Sequence, residues 1–222
     1  MDDIEILKTL YKNTELMELA LTHKSWVNEH KGIRRSNERL EFLGDAILEY
    51  VVSSYLYNKF PNEEEGYLTA FRAKLVNTVS LSKVAESLNV GKYIYLSKGE
   101  EDGGGRSNQS LLADTIEAII GSLFIDGGVE KAGEFINANI LSKMADIEKL
   151  PLKDSKSAFQ EIVQSKGLPA PKYQVVKEEG PDHAKQFTIE VVVDNKAIAK
   201  GTGKNKSEAA QSAAEAALAK FL

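Results

Sequence analysis

Two short stretches of this 222-residue chain gather carboxylates where a purely structural helix has little use for them. In Asn37-Glu38-Arg39-Leu40-Glu41-Phe42-Leu43-Gly44-Asp45-Ala46-Ile47-Leu48-Glu49, the acids Glu38, Glu41, Asp45 and Glu49 follow a helical spacing. At about 100° per residue they fall within roughly 80° of one another. Like charges so placed destabilise a helix by roughly 0.2–0.5 kcal/mol per pair, so this face is either simply solvated or bound to a cation. In Leu111-Leu112-Ala113-Asp114-Thr115-Ile116-Glu117-Ala118-Ile119-Ile120-Gly121, Asp114 and Glu117 lie one turn apart in a segment otherwise apolar nearly all round. No Lys or Arg occurs between Arg106 and Lys131, and burying unpaired carboxylates is costly. A hard cation with oxygen ligands removes that cost and can draw on both segments. Such a site suits Mg²⁺, with Mn²⁺ as an alternative ion, and a metal with an open position lowers the pKa of a water for attack on a phosphodiester. His23, His30 and His183 lie outside both segments, so the Glu-x-x-His pairs of a di-iron bundle are missing.

These acids need two helices to carry them. The first is predicted from Asn37 to about Lys59, with Leu43, Ile47, Tyr50 and Val51 as its core stripe on the side opposite the acids. From Glu15 to about Leu141 apolar residues recur at spacings of three and four, interrupted by polar loops at 28–36 and 97–109, which predicts an all-helical body. The polar stretch from Ala145 to Asp154, with Pro151, reads as a linker. The tail then changes period: a helix at 156–165, strands at 173–177, 186–193 and 197–201, and an Ala-rich helix at 207–221. Phe187, Ile189, Val191 and Val193 alternate along the middle strand, and Asp194-Asn195 supplies the turn after it. Domain bounds of 1–147, 148–154 for the linker and 155–222 follow.

Composition fits a folded two-domain protein, with 42% hydrophobic and 27% charged residues. Zero Cys excludes disulfides and thiolate metal sites. No apolar run approaches 18 residues and Met1-Asp2-Asp3 is acidic where a secretory signal is basic, so a cytoplasmic protein without membrane contact is expected. The net charge of −5 argues weakly against a nucleic-acid partner. It is unevenly shared, however: residues 151–222 hold 11 Lys against 9 acids, a mildly basic tail on an acidic body.

The string Asn37 to Asp45 closely resembles the signature of bacterial ribonuclease III, and Asp114-Thr115-Ile116-Glu117-Ala118 resembles that family's second acidic motif. Ala20-Leu21-Thr22-His23-Lys24-Ser25, Glu65-Gly66 and Leu75-Val76-Asn77 extend the resemblance in the family's order, and the tail is similar to its double-stranded-RNA-binding domain. The resemblance implies an all-α nuclease domain followed by a small α-β-β-β-α domain. It implies a homodimer that cuts both strands of double-stranded RNA with Mg²⁺, leaves 5′-phosphate and 3′-hydroxyl ends, processes ribosomal RNA precursors and other structured transcripts, and uses no small-molecule cofactor. By the same resemblance Glu41, Asp45, Asp114 and Glu117 are the metal-binding and catalytic acids, with Asp45 and Glu117 closest to the attacking water. Glu38 and Glu65 match additional cleft acids. Each also has a plain structural reading, Glu38 as a first-turn acid favoured by the helix dipole and Glu65 as partner of an Asn62 cap. Phe42 projects about 40° from Glu38, off the core stripe. It is either a lone surface aromatic or, as the resemblance implies, a dimer contact entering a cavity of the other subunit.

In the tail, Phe159-Gln160-Glu161 and Gly180-Pro181-Asp182-His183 match the family's minor-groove contacts, and Lys204 and Lys206 match its phosphate clamp. So Gln160, Glu161, His183, Lys204 and Lys206 are the expected RNA contacts. Arg106 joins them by family resemblance, while its loop, Gly103-Gly104-Gly105, reads equally as a phosphate cradle or a plain linker. The sequence departs from the family at Lys206-Ser207-Glu208, where adjacent basic residues are usual, which weakens one phosphate contact. Gly201-Thr202-Gly203 lacks the third Gly and the βαβ setting of a dinucleotide fingerprint. Two other functions compete with the enzyme. A non-catalytic binder of duplex RNA would have no use for Asp114 and Glu117, and a DNA nuclease would have none for a tail shaped to A-form RNA.

Overall fold

Helix α4 (Glu38–Lys59) buries Leu40, Gly44, Leu48, Val52 and Leu56, a stripe that advances four residues at a time and wraps slowly round the helix. The computed structural model describes residues 3–144, 155–181 and 185–221, and the chain divides into two units at residues 152/153. The linker expected at 148–154 falls outside the described residues. In unit 1, α1 (Asp3–Thr9), α2 (Thr14–Ala20) and α3 (Lys24–Glu29) precede α4, and α5 (Glu65–Val76), α6 (Thr78–Ser87), α7 (Lys98–Asp102) and α8 (Gln109–Asn139) follow it. Among the described residues no helix is long and apolar enough to cross a membrane.

The stripe differs from the one expected. Tyr50 is 62% exposed, and Leu43 and Ile47 are only partly buried, while Gly44 and Leu48 take the core. The acids therefore border the buried seam of α4 instead of lying opposite it. Hydrophobicity hid the seam because its central residue is a glycine, which carries no apolar signal. A Cβ on Gly44 would lie 1.7 Å from the carbonyl oxygen of Glu117, and one on Gly121 would lie 2.2 Å from the carbonyl oxygen of Leu40. The backbones of α4 and α8 are thus in direct contact at this crossing. Around it Leu40, Leu48, Ile116, Ile119 and Ile120 are buried.

α8 is buried nearly all round up to Leu123 and breaks at Gly127–Gly128, where Gly128 takes φ 80°, a conformation open to glycine at little cost. Asp126 anchors the break: it accepts from the amides of Lys12 and Asn13, each at 2.9 Å, and pairs with Lys131. Its side chain is buried, which alone would raise its pKa, but these donors and the ammonium outweigh that and hold it at about 2. Helix α1 lies ahead of the region where helical periodicity was read.

Unit 2 has helix α9 (Ser155–Ser165), strands β1 (Lys172–Glu179), β2 (Gln186–Val193) and β3 (Lys196–Gly203), and helix α10 (Lys206–Phe221). The strands form an antiparallel sheet in the order β1-β2-β3. Asp194 and Asn195 have φ of 48° and 62°, the positive pair that a two-residue hairpin turn requires. Ile189, Val191 and Val193 alternate into a core with Phe159, Val163 and the alanine stripe of α10. Gly201 and Gly203 have a packing reason: a Cβ at either would lie 2.0 Å and 2.4 Å from the amide nitrogens of Ala213 and Ala209.

Replacing Gly44 or Gly121 by Ala forces the two helices apart, and each change is expected to cost about 3 kcal/mol or more in denaturant unfolding. Gly133→Ala, on the same α8 with open space beside it, is expected to add about 0.5–1 kcal/mol. Equal effects at the three positions would refute the crossing contact.

Candidate active site

The glycine crossing sets the acids of two helices side by side. Glu41, Asp114 and Glu117 each offer a carboxylate oxygen, and the three oxygens all lie within 4.8 Å of one another. Glu41 and Glu117 are half-buried and Asp114 is exposed, so the acids of α8 occupy the one wet line along a buried helix and are less enclosed than the sequence implied. Asp45, one turn beyond Glu41 and exposed, is not within that group, but its charge acts on both Glu41 and Glu117. Burial, followed by repulsion from Asp45, Asp114 and Glu41, pushes the Glu117 carboxyl up to about 7. Burial, then Asp114 and Glu38, raises Glu41, and burial raises Asp114. Three carboxylates that resist ionisation together form a site short of positive charge, and oxygen donors at this spacing suit a hard divalent cation.

The site's framework comes from segments that the sequence reading matched to the family without assigning them a role. Asn37 is buried: its amide donates to the Thr22 carbonyl at 2.8 Å, its side chain donates to the Ala20 carbonyl at 3.1 Å, and its own carbonyl receives the amides of Leu40 and Glu41. This ties the first turn of α4 to the corner between α2 and α3. His23 caps α3, its Nδ1 accepting from the Ser25 amide at 3.3 Å. Ser25 Oγ in turn accepts from the Ser97 amide at 3.1 Å. The Lys24 ammonium lies 3.4 Å from Glu38 and draws on Glu41 and Asp114 as well. The cation missing near Asp114 in sequence therefore arrives from α3. A cation placed before a signature helix offers no periodic signal.

The remaining expected residues sit elsewhere. Glu38 accepts from Ser36 Oγ at 2.9 Å, the first cause of its lowered pKa, and pairs with Lys24. Glu65 opens α5, where Glu64 is the cap residue and makes no capping bond. Asn62 thus does not cap α5. Glu65 accepts from Thr69 at 3.2 Å and lines a 590 Å³ concavity with Tyr50, Tyr57 and Arg72. Phe42 is 82% exposed and lines a second, 1380 Å³ concavity together with Ile33 and Ile125. Arg106, expected as an RNA contact, is engaged within its own unit: its Nη1 donates to the carbonyls of Gly91, Lys92 and Ile94 at 2.9–3.2 Å, and its Nε pairs with Glu101 at 2.7 Å. Its loop is no flexible linker, since α7 and a 3₁₀ turn at Gly105–Ser107 fill it.

In unit 2, Gln160 and Glu161 are exposed on α9 and Lys204 and Lys206 are exposed where β3 passes into α10. His183 falls outside the described residues. A helical unit with three converging carboxylates, followed in the chain by a sheet-and-helix unit with exposed lysines at a helix start, has the parts that a metal-dependent phosphodiesterase with a nucleic-acid-binding module requires. Residues 13–144 match the family model described as ribonuclease-III-like, and residues 155–221 match that of the double-stranded RNA binding motif. The chain is 43% identical over 222 residues to the curated Ribonuclease 3 of Natranaerobius thermophilus, covering 99% of this chain and 96% of that protein. It is 44% identical over 213 residues to Ribonuclease 3 of Listeria monocytogenes serovar 1/2a, covering 96% and 93%. Among solved structures, the nuclease domain of ribonuclease III from Campylobacter jejuni matches with a TM-score of 0.57 and 41% identity, over 68% of this chain and 99% of that one. The chain belongs to the ribonuclease III family, and it is a double-stranded-RNA endoribonuclease that requires a divalent metal.

The raised Glu117 pKa gives pH dependences of definite sign. Between about pH 4.5 and 7 the folded chain keeps a proton on Glu117 that the unfolded chain has lost, so stability falls as pH rises through that window. Without metal, Glu117→Gln is expected to be more stable than the parent at pH 8, on the order of 2 kcal/mol, and equal to it below pH 4. Metal binding should release close to one proton at pH 6.5, measured by calorimetry in buffers of different ionisation heat. No proton release would refute the assignment of Glu117 as a ligand.

Proposed function

We propose that Glu41, Asp114 and Glu117, with Asp45 beside them, hold Mg²⁺ and that the chain hydrolyses both strands of duplex RNA to 5′-phosphate and 3′-hydroxyl ends. The observation that carries this reading is the convergence of three carboxylate oxygens within 4.8 Å, from two helices pressed together by glycine. The metal, when bound, supplies Lewis acidity and a water of lowered pKa; Mn²⁺ meets the same oxygen-donor requirement. Glu117, raised to about 7, is able to hold or give up a proton near neutral pH, which suits a group close to the attacking water, and Asp45 stands exposed at the edge of the site. Glu38 and Glu65 are peripheral acids.

The working unit in this reading is a homodimer, with exposed Phe42 seated on a second copy. Phe42 lies beside a concavity with exposed Ile33 and Ile125, and the solved nuclease domain of ribonuclease III from Campylobacter jejuni has structural flexibility in a region involved in dimer formation. Residues 1–147 are the catalytic domain, 148–154 the linker and 155–222 the RNA-binding domain. Gln160, Glu161 and His183 face the minor groove and Lys204 and Lys206 the phosphates, so shape, and not base sequence, directs binding. Ribosomal RNA precursors and other structured transcripts in the cytoplasm are the substrates.

Purified chain with Mg²⁺ is expected to cut a long perfect RNA duplex while leaving matched DNA and single-stranded RNA intact. Glu117→Gln should retain duplex binding and lose at least ~100-fold in cutting rate. Undiminished cutting by that variant would sink the site. Phe42→Ala is expected to shift the sedimentation profile toward monomer and to slow cutting in parallel; a dimer of unchanged stability would remove Phe42 from the interface.

A further inference from the structure

Lys206, the first residue of α10, already has an anionic partner within unit 2. Its Nζ lies 3.4 Å from Glu178 Oε1 and sits over the Phe187 ring at 5.6 Å. Glu178 and Phe187 face each other across β1 and β2. The other oxygen of Glu178 lies 3.8 Å from Lys185 Nζ. The amides beside this helix start are answered in the same way. The Glu208 carboxylate accepts from the Lys204 amide at 3.0 Å and from Asn205 Nδ2 at 2.7 Å, while Asn205 Oδ1 accepts from the Glu208 amide at 2.9 Å. Donors suited to a phosphate oxygen are thus occupied by internal acceptors, the carboxylates of Glu178 and Glu208 and the side-chain amide oxygen of Asn205.

We propose that Glu178 is a built-in competitor for the RNA phosphate: it holds Lys206 and Lys185 in the free protein and is displaced when a duplex backbone docks, so it sets affinity below what the lysines alone would give. This rests on the reading of Lys206 as a phosphate contact. A carboxylate and a phosphate oxygen satisfy an ammonium in the same way, so binding exchanges one ion pair for another. The released carboxylate then faces the polyanion, and its repulsion adds to the cost. Glu178 and Lys206 are 37% and 61% exposed, so the pair is weak enough to open. Glu179 is a control built into the same strand. It follows Glu178 and points to the other face of β1, where it pairs with Lys177 at 2.7 Å.

The test measures affinity of the full chain for a perfect RNA duplex without divalent metal, across a salt series. Glu178→Gln is expected to tighten binding about two- to fivefold and to steepen the dependence of log affinity on log salt by about one. Glu178→Thr, a strand-compatible neutral residue, should do the same, which separates loss of charge from any loosening of the sheet. Glu179→Gln should change neither quantity, and Lys206→Gln should weaken binding and remove most of the gain from Glu178→Gln. Both Glu178 variants binding as tightly as the parent or more weakly, or Glu179→Gln matching them, would overturn the proposal while a weakened Lys206→Gln left the phosphate contact standing. A Lys206→Gln without effect on affinity or salt slope would overturn both.

Discussion

Gly44 and Gly121 let the backbones of α4 and α8 touch, and the position of every acid in the site depends on that contact. Helices packed through side chains keep their axes about 8–10 Å apart; where glycines meet, the backbones come closer and side chains one turn to either side are pressed together. Glu41 precedes Gly44 by three residues and Glu117 precedes Gly121 by four, so both project at the mouth of the crossing. They cannot spread apart without separating α4 from α8, which bury Leu48, Ile116 and Ile120 around the crossing. The hydrophobic seam thus holds the acids together and half-encloses them: burial is the first cause of the raised pKa values of Glu41, Asp114 and Glu117, and repulsion from neighbouring acids adds to it at Glu41 and Glu117. A bound cation relieves it, so stability without metal is traded for metal affinity.

How much of this was legible in the sequence follows from what periodicity encodes. Helical spacing gives the angle between residues on one helix, and on that basis Glu41 and Asp45 were placed a turn apart on one helix and Asp114 and Glu117 on another, as α4 and α8 carry them. Spacing gives no information about which neighbour a face meets. The core stripe was accordingly placed on Ile47 and Tyr50, which carry apolar side chains, and not on Gly44, whose role exists only in the presence of Gly121. Arg106 illustrates the same limit: a basic residue in a glycine-rich loop looks available, yet its guanidinium closes a set of carbonyls around Val90–Lys92. In unit 2, strand alternation and the Asp194-Asn195 turn are local signals, and there the element order was readable with small errors at the ends.

Charge shows a similar division between average and local values. The acidic body argued weakly against a polyanion, but the field that matters is set by a handful of groups. At the metal site, Lys24 and His23 arrive from a segment nearly a hundred residues before Asp114 and draw its pKa down without outweighing burial. Five neighbouring acids against one full cation leave room for a divalent ion.

The two functional surfaces therefore reach their ligands by opposite routes, although close backbone approach builds both. Gly201 and Gly203 let β3 rest on the alanine stripe of α10, which fixes the start of that helix as firmly as Gly44 fixes Glu41. In unit 1 the anchored groups share a sign and Lys24 offsets it only in part, so a metal enters a site whose electrostatic need is not fully met. In unit 2 the anchored lysine already has Glu178, the Lys204 amide has Glu208 and the Glu208 amide has Asn205, so in the proposed reading a phosphate must displace a partner already in place. The first arrangement favours tight retention of a small ion. The second keeps binding of a long polyanion reversible, which suits an enzyme that must release a duplex after cutting it.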